Sequence, residues 1–417
     1  MDTLMQMSNE MSFGLPILFL FITFGLWFVY GRDEKVVGTE ETFPPKGYNS
    51  AEMGFFYKGK ADTQDVASLL IYLAVRGYVK ITETFEKSLF ATVKGFAITK
   101  LKDYEGNNPN ERLFLKGLFK SKTISSFKDA MSYAKNPLAM LEDDSSKEEE
   151  KITIDNLKNS FYLTLNVLIT NMNKKENKQK MYEKNSLNKR WIVALMAIAS
   201  FLLITAQPVI EYHEDPYMLF ILLFPASGFL ILFLAICTDS FKTLTVNGVP
   251  KTKPYYSIVF GLFFGLFFGG IPFAALVLPA LLLKINYLIT FLIGMTCIVL
   301  MLLLNLNMTK RSRFGNELLK QIKGLKQFIE TAQQHKLEQL ERQYPNYFYN
   351  ILPYAYVLGL SKVWFKKFED IGLKQPDWYE GGDDFNLTFF GKFLDDAMQS
   401  TATAMATSPH KSDSSFD

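Results

Sequence analysis

The sequence contains few of the residues that usually carry chemistry. Among its 417 residues are 3 histidines and 2 cysteines. Cys237 and Cys297 both lie inside apolar stretches, so no disulfide framework is predicted. The motifs G-x-S-x-G, H-E-x-x-H and C-x-x-C, which are common signatures of nucleophiles and metal sites, do not occur. We therefore predict no catalytic, cofactor-binding or metal-binding residue and disfavour an enzyme, although a pair of buried acids could still catalyse.

Charge is also sparse, at 21% of residues, whereas 48% are hydrophobic and 38 are phenylalanine. This composition excludes a disordered or fibrous protein, and a net charge of +3 does not demand a nucleic-acid partner. About 20 apolar residues cross a bilayer, which predicts a polytopic, mainly α-helical membrane protein. Five blocks without Asp, Glu, Lys or Arg qualify as spans: residues 13–30, 191–210, 217–237, 255–277 and 285–306. Four spans and one re-entrant segment are the alternative, since the last two blocks nearly touch.

Basic residues beside the blocks predict the orientation, because Lys and Arg favour the cytoplasmic side. Residues 1–12 contain no base, whereas Arg32 follows the first block and Lys310 follows the last; Lys284 is the exception. We predict a bacterial inner-membrane protein with a short outside start at 1–12 and a cytoplasmic C-terminus. The start lacks the basic leader of a signal peptide, which predicts a retained anchor. So short a leader suggests that a longer extracytoplasmic part is missing.

The first cytoplasmic region begins with a helical pattern that gives way to strands. Ser50 is predicted to cap a short helix, Asp62 to begin a second and Gly77 to end it. Residues 79–84 and 89–99 then alternate like the two strands of a hairpin. This order is typical of a winged-helix module, predicted over residues 32–135.

Winged helices often bind DNA. Residues 32–190 contain 27 basic and 22 acidic residues, and the second helix has no basic face. Without the electrostatic footprint of a phosphate binder, contact with protein is favoured and nucleic acid is unlikely.

The remaining cytoplasmic sequence is predicted to be mostly helical. An acidic flexible loop at 136–151 precedes a helix at 152–190, whose apolar stripe packs on the soluble domain or, alternatively, forms a short coiled coil. A helical region covers 307–399, with one helix over 315–342 and shorter ones near 348–360 and 362–371. Residues 400–417 are rich in Ser, Thr and Ala without periodicity, which predicts a disordered tail.

Two short stretches resemble ligand sites. Residues 54–61 nearly spell a phosphate-binding loop, but Ala61 replaces the Ser or Thr that reaches Mg²⁺, so a helix end and turn is the better interpretation. Residues 211–215 hold His213 and three acids, for which a short acidic loop is favoured over a metal site.

The fourth block contains two features that bear on function. Gly261, Gly265 and Gly269 recur every four residues, which favours close packing inside the bundle over a homodimer face. The break at 269–272 could unwind a helix at a transport site. Transporters normally keep ionisable groups in their spans, whereas Gln207 is the most polar group here. Transport is therefore the second hypothesis.

Several segments together resemble one family. They are GRDE at 31–34, FPP at 43–45, DTQDV at 62–66, LAVRGYVKI at 73–81, LPYAYVLGL at 352–360, WFKKFE at 364–369 and PDWY at 376–379. Their order is similar to that of the YciQ-like predicted bacterial membrane proteins, which share domain of unknown function 2207. The resemblance implies no activity, but it implies a signal peptide and an extracytoplasmic β-rich domain, which this sequence lacks. The tail without glycine also departs from the family.

These observations predict a non-catalytic anchor, scaffold or signalling component that binds a protein partner through its cytoplasmic regions. A homo-oligomer is an open alternative, and no cofactor is expected. A transporter or transport-accessory subunit is the second hypothesis, and a membrane-tethered DNA-binding regulator is the third.

Overall fold

The computed structural model describes residues 2–32, 36–87, 92–119, 150–158, 160–212, 285–306, 308, 310–382 and 385–407. They divide into two compact units. The helical unit comprises residues 1–34 and 182–312, and the mixed unit comprises 35–181 and 313–417.

The described part of the helical unit contains three long helices, α1 (Asp2–Tyr30), α8 (Lys184–Tyr212) and α9 (Ile285–Leu306), each packed against the other two. Its core holds Phe201 and Ile204 of α8 beside Ile298 of α9. A side chain on Gly294 would collide with Ile204 at 2.3 Å, so glycine lets α8 and α9 approach closely.

The outer surface of the helical unit is apolar. Phe21 of α1 is 69% exposed, Leu195 of α8 63% and Leu292 of α9 56%. Such a surface suits hydrocarbon rather than water. Among the described residues, the segments Glu10–Tyr30 and Tyr287–Asn305 are long and apolar enough to cross a membrane.

Three of the five predicted spans lie in described helices, and two lie outside the described residues. Helices α1, α8 and α9 contain the blocks 13–30, 191–210 and 285–306. The blocks 217–237 and 255–277 lie outside the described residues. The number of spans therefore stays a prediction.

The mixed unit combines helices with a small sheet, so the described chain is mainly helical, as predicted. Its elements are α2 (Ser50–Lys58), α3 (Thr63–Val75), β1 (Val79–Lys87), β2 (Thr92–Lys100), α4 (Pro109–Phe119), β3 (Lys151–Thr153), α5 (Ile154–Leu157), α6 (Tyr162–Met172), α7 (Lys175–Met181), α10 (Arg313–Thr331), α11 (Gln334–Gln343), α12 (Tyr347–Val357), α13 (Ser361–Lys367), β4 (Tyr379–Glu380) and α14 (Leu387–Ala406).

Local signals explain the predicted helix–helix–hairpin order. Asp62 caps α3, and its partner Asp65 completes the capping box. Gly77, at φ 74°, ends α3. The prediction that Ser50 caps α2 was wrong: Asn49 is the cap, and the Ser50 hydroxyl instead lies 2.7 Å from that of Ser68.

The sheet has the strand order β3-β2-β1-β4. β1 and β2 form an antiparallel hairpin whose register pairs Ile81 with Ile98 and Glu83 with Phe96. β3 extends the sheet beyond β2, and β4 pairs with β1 in parallel, with Thr82 beside Glu380. A parallel pair needs a long connection, and here the connection is nearly three hundred residues of chain.

The core joins the two sequence ranges that we predicted as separate regions. α3 packs against α12 and α14 as well as against α2. Leu69 of α3, Ile351 of α12 and Trp364 of α13 are all fully buried. The ranges 35–181 and 313–417 thus build a single unit around α3.

Two predicted long helices are broken. The stretch 152–190 is divided into α5, α6 and α7 before α8 begins, and 315–342 is divided into α10 and α11 at 332–333. Gln333 has extended backbone there, at ψ 150°. The apolar stripe of 152–190 packs on the mixed unit, as predicted, with Leu165 and Leu168 of α6 buried.

The prediction that residues 400–417 form a disordered tail was wrong for its first part. α14 continues to Ala406 and buries Thr401 and Met405 completely. Small Ala and Thr side chains hide the helical period there, because a hydrophobicity pattern registers them weakly. Residues 408–417 lie outside the described residues.

The segment that enters the mixed unit lies against α10 at a close glycine contact. A Cβ on Gly324 would lie 1.6 Å from the Thr39 carbonyl oxygen. We expect Gly324→Ala to destabilise the unit by about 1–3 kcal/mol, because the neighbouring backbone must move. A lower melting temperature of the detergent-solubilised full chain would show this. Gly372→Ala is the control, since nothing lies within 4 Å of its Cβ; equal melting of both variants would contradict the contact.

Candidate partner-binding groove

A groove of about 620 Å³ lies in the mixed unit between the sheet and α14. β1 and β2 contribute Glu83, Gly95 and Phe96, and the chain around β4 contributes Gln375 and Tyr379. The wall from α14 and the loop before it consists of Phe385, Asn386, Phe389, Phe390, Lys392, Phe393, Asp396, Ala397 and Ser400. We call this space the aromatic groove. Residues from both sequence ranges of the mixed unit, 35–181 and 313–417, meet there.

Ring–ring contacts fix the inner wall of the aromatic groove. The Tyr379 ring lies 4.5 Å from that of Phe390 and 5.6 Å from that of Phe393, and Phe393 contacts Phe96 at 6.1 Å. Tilted and edge-on pairs at these distances are favourable beyond their buried area. Phe389, by contrast, is 75% exposed. The groove therefore has a rigid inner wall and an uncovered aromatic side chain.

Polar groups lie beside the rings of the aromatic groove. The Tyr379 hydroxyl donates a hydrogen bond to the Glu83 carboxylate. Burial raises the pKa of Tyr379, and the bond to Glu83 raises it further, so the phenol stays protonated. Lys392 and Asp396 are exposed on α14. A binding partner would meet both signs of charge at the rim.

A second recess, of about 590 Å³, continues the aromatic groove along α14. The two spaces share Gly95, Phe96, Ile154, Asp396 and Ser400. The second is more polar, with Thr153, Gln399 and Thr403 among its lining residues. Together they follow α14 for about four turns, from Phe389 to Thr403, at the usual rise of about 1.5 Å per residue.

The strongest buried charges of the mixed unit lie elsewhere and bind each other. The Lys58 ammonium lies 2.5 Å from Asp65 and 2.9 Å from Asp62. The side chain of Asp65 is fully buried and that of Lys58 is 8% exposed. Burial raises the pKa of Asp65 to about 7, and Lys58 opposes that rise. A Cβ on Gly54 would lie 2.2 Å from Asp65, so glycine makes room for this pair.

A second buried group joins two acids through amides. Asn49 donates to Glu111 at 2.9 Å, and Asn108 donates to Glu52 at 2.7 Å. Tyr104 also donates to Glu111, at 2.9 Å. Burial raises the pKa of Glu52, while its hydrogen bonds lower it. These bonds tie α2 to α4, so both acids are accounted for as structural groups.

The sequence candidates have mixed outcomes. Residues 54–61 are a helix end and turn, as interpreted: Gly54 lies inside α2, and Gly59 ends it at φ 79°. His213, the stretch 269–272 and the three spaced glycines of the fourth block lie outside the described residues. Gln207 belongs to α8. Within the described ranges, no cluster of three His, Cys, Asp or Glu could hold a metal.

Sequence reasoning missed the aromatic groove. The lining residues of α14 recur with a helical spacing through Phe389, Phe393, Asp396, Ser400 and Thr403, which could have extended the predicted helix. Nothing in the sequence indicates that β4 returns to β1, because that pairing spans two residues. The site therefore depends on a tertiary contact without a local signal.

One comparison with known proteins identifies a family. The model of a family described as "Predicted membrane protein (DUF2207) C-terminal domain" matches residues 40–249 and 244–368, as the resemblance predicts. Neither a curated protein nor a solved structure matches the chain.

Proposed function

This chain belongs to the DUF2207 family of predicted membrane proteins, and we propose that it is a membrane-anchored, non-catalytic scaffold or signalling component. Its mixed unit binds a protein partner in the aromatic groove. The helical unit supplies the anchor, and its exposed apolar side chains support that role. The family description names no activity, so the proposal depends on the groove.

The exposed Phe389 carries the proposal. A large aromatic side chain in water is costly, and interfaces typically bury such residues as anchors. Phe389 lies at a preformed concave surface whose inner wall is held by ring contacts. A partner that covers it would gain apolar burial without rearranging the groove.

The chemistry of the aromatic groove favours a polypeptide segment with an apolar side chain. Its inner part is aromatic, its rim offers Lys392 and Asp396 for hydrogen bonds, and the adjoining recess adds Gln399. An apolar centre with a polar rim is the usual arrangement of a protein–protein interface. The extended length along α14 suits a segment better than a single small molecule.

The position of α3 supports a protein partner over DNA. A recognition helix must present one face to the major groove. Every residue of α3 from Asp65 to Ala74 is buried, because α2, α12 and α14 cover it. The buried middle of this helix supports a partner other than DNA, and the winged-helix assignment stays a prediction about element order.

The proposed location is the bacterial inner membrane, with the N-terminus outside and the mixed unit in the cytoplasm. The support is the distribution of Lys and Arg beside the apolar blocks. In the described part of the helical unit, Arg32, Lys189, Arg190, Lys310 and Arg311 adjoin the corresponding helix ends.

The test places a photo-crosslinking amino acid at position 389 of the full chain in native membranes. We expect one defined polypeptide adduct, and we expect Phe389→Ser to weaken binding of the purified partner about 10- to 30-fold, as for an anchor residue. Leu101, 50% exposed on the same unit, is the control position. Equal adducts at 389 and 101, or an unchanged affinity of Phe389→Ser, would contradict the proposal.

A further inference from the structure

Another cavity of the mixed unit, separate from the aromatic groove and from the recess that continues it, brings together segments that are far apart in sequence. It measures about 400 Å³. Its lining includes Phe43 and Pro44, Arg76 at the end of α3, Tyr344 after α11 and Tyr354 of α12. Residues 43–45, 73–81 and 352–360, three of the segments that carry the family resemblance, all reach it. We call this cavity the Arg76 notch.

Among the described residues that line the Arg76 notch, Arg76 is the one that carries a charge. Its guanidinium lies 4.2 Å from the centre of the Tyr72 ring, which holds it by a cation–π contact. It forms no ion pair with any acid in the part of the chain that the structure describes. A guanidinium stacked in this way keeps its N–H edge free for a planar oxyanion.

The remaining walls of the notch are apolar rings with two amides beside them. Phe43 is 40% exposed and Tyr344 is 44% exposed, and their rings meet edge to face at 5.0 Å. Tyr354 is held in place because its hydroxyl donates to the Tyr48 carbonyl at 3.0 Å. Asn350 and Gln343 add hydrogen-bonding groups at the rim. Such a lining suits a flat apolar body attached to an anionic group.

The charge balance favours a single negative charge on that ligand. One arginine supplies the positive charge. Burial raises the pKa of the neighbouring Tyr72, and Glu111 and Glu52 lie close enough to raise it further, so negative charge is already present nearby. A phosphate carries up to two charges and usually requires several bases. A carboxylate matches one guanidinium in charge and in its two-pronged geometry.

We propose that the Arg76 notch binds a carboxylate carried on an apolar or aromatic body. The carboxylate accepts hydrogen bonds from the Arg76 guanidinium, and the apolar body lies against Phe43, Tyr344 and Pro345. The carboxylate can come from a polypeptide or from a small molecule, because both present the same group. This site shares no lining residue with the aromatic groove, so its test does not depend on the proposed function.

The test is ligand-observed saturation-transfer NMR with the purified full chain in detergent. We expect benzoate to bind and its neutral analogue benzamide to bind at least tenfold more weakly. We also expect Arg76→Gln to weaken benzoate binding at least tenfold. Arg112→Gln is the matched control, since Arg112 also lies over a tyrosine ring, at 6.0 Å from that of Tyr104, but outside the notch; it should bind as wild type.

A second variant, Tyr344→Ala, tests the site if Arg76→Gln does not fold. If Arg76→Gln melts at a lower temperature than wild type, Tyr344→Ala, which keeps the arginine, should still weaken benzoate binding. Binding of acetyl-Phe-Asp-amide more tightly than benzoate would support the site with a polypeptide source, and the reverse order would support it with a small-molecule source. Equal binding of benzoate and benzamide, tighter binding of phenyl phosphate, or no effect of Arg76→Gln would overturn the proposal.

Discussion

Replacing Lys58 with methionine is expected to lower the free energy of unfolding of the mixed unit by about 3–5 kcal/mol at pH 8. The ammonium of Lys58 is the cation beside Asp65, whose side chain is fully buried. Methionine keeps most of the volume but leaves the carboxylate without its cation, and an unpaired buried charge is strongly unfavourable. Hydrogen exchange of the α3 amides in the full chain measures the change.

The cost of Lys58→Met should depend on pH. Burial raises the pKa of Asp65 to about 7, above its ordinary value of 3.8, so the folded state binds a proton more readily than the unfolded chain. The stability that this proton provides is complete below pH 3.8 and is lost as the pH rises through 7. The neutral carboxyl needs no cation, so the variant should be much less destabilised at pH 5 than at pH 8.

An exposed ion pair provides the control for Lys58. Lys320 lies 3.3 Å from Glu317 on α10, and both side chains are at least 42% exposed. Lys320→Met should change stability by less than about 1 kcal/mol, because water screens such pairs. A similar cost for both variants, or a cost for Lys58→Met that is the same at pH 5 and pH 8, would show that the buried pair is not as described.

Trp364→Ala is expected to destabilise the mixed unit by about 3–5 kcal/mol. Trp364 is fully buried. Its ring lies 4.7 Å from that of Phe368 and 6.0 Å from that of Tyr347, and its indole N–H donates to the Phe348 carbonyl at 3.1 Å. Alanine would leave a large cavity among rings that cannot collapse together.

The comparison for Trp364 is Phe389→Ala, which also removes an aromatic ring but from a side chain that is 75% exposed. We expect that variant to stay within about 0.5 kcal/mol of wild type. Hydrogen exchange of α12 in both variants measures the difference. A similar loss of stability in the two variants would contradict either the burial of Trp364 or the exposure of Phe389.

The sequence predicts the first part of the mixed unit well because its signals are local. Asp62 and Gly77 mark the ends of α3, and alternating residues mark β1. The apolar face of α10 at Leu318, Ile322 and Leu325 was likewise visible. Each of these signals is read within a few residues, so no tertiary knowledge is needed.

The candidate sites were not predictable in the same way. The aromatic groove depends on β4, a two-residue strand, and on α14, whose last turns consist of small residues. The Arg76 notch depends on chain segments about three hundred residues apart meeting at one surface. In the sequence, Arg76 is one charge near a helix end. Its position over the Tyr72 ring, which packs against Tyr354, depends on the tertiary fold.

The two sequence ranges of the mixed unit, 35–181 and 313–417, fold together and build the aromatic groove. A disulfide between β1 and β4 tests it most directly: Thr82→Cys with Glu380→Cys, in a full chain with Cys237→Ser and Cys297→Ser. Thr82 and Glu380 are register partners, and their side chains lie 3.2 Å apart. We expect rapid cross-linking by a mild oxidant in native membranes, and none for Thr82→Cys with Gly372→Cys. Failure of the first pair to cross-link, or equal cross-linking of both, would contradict the account.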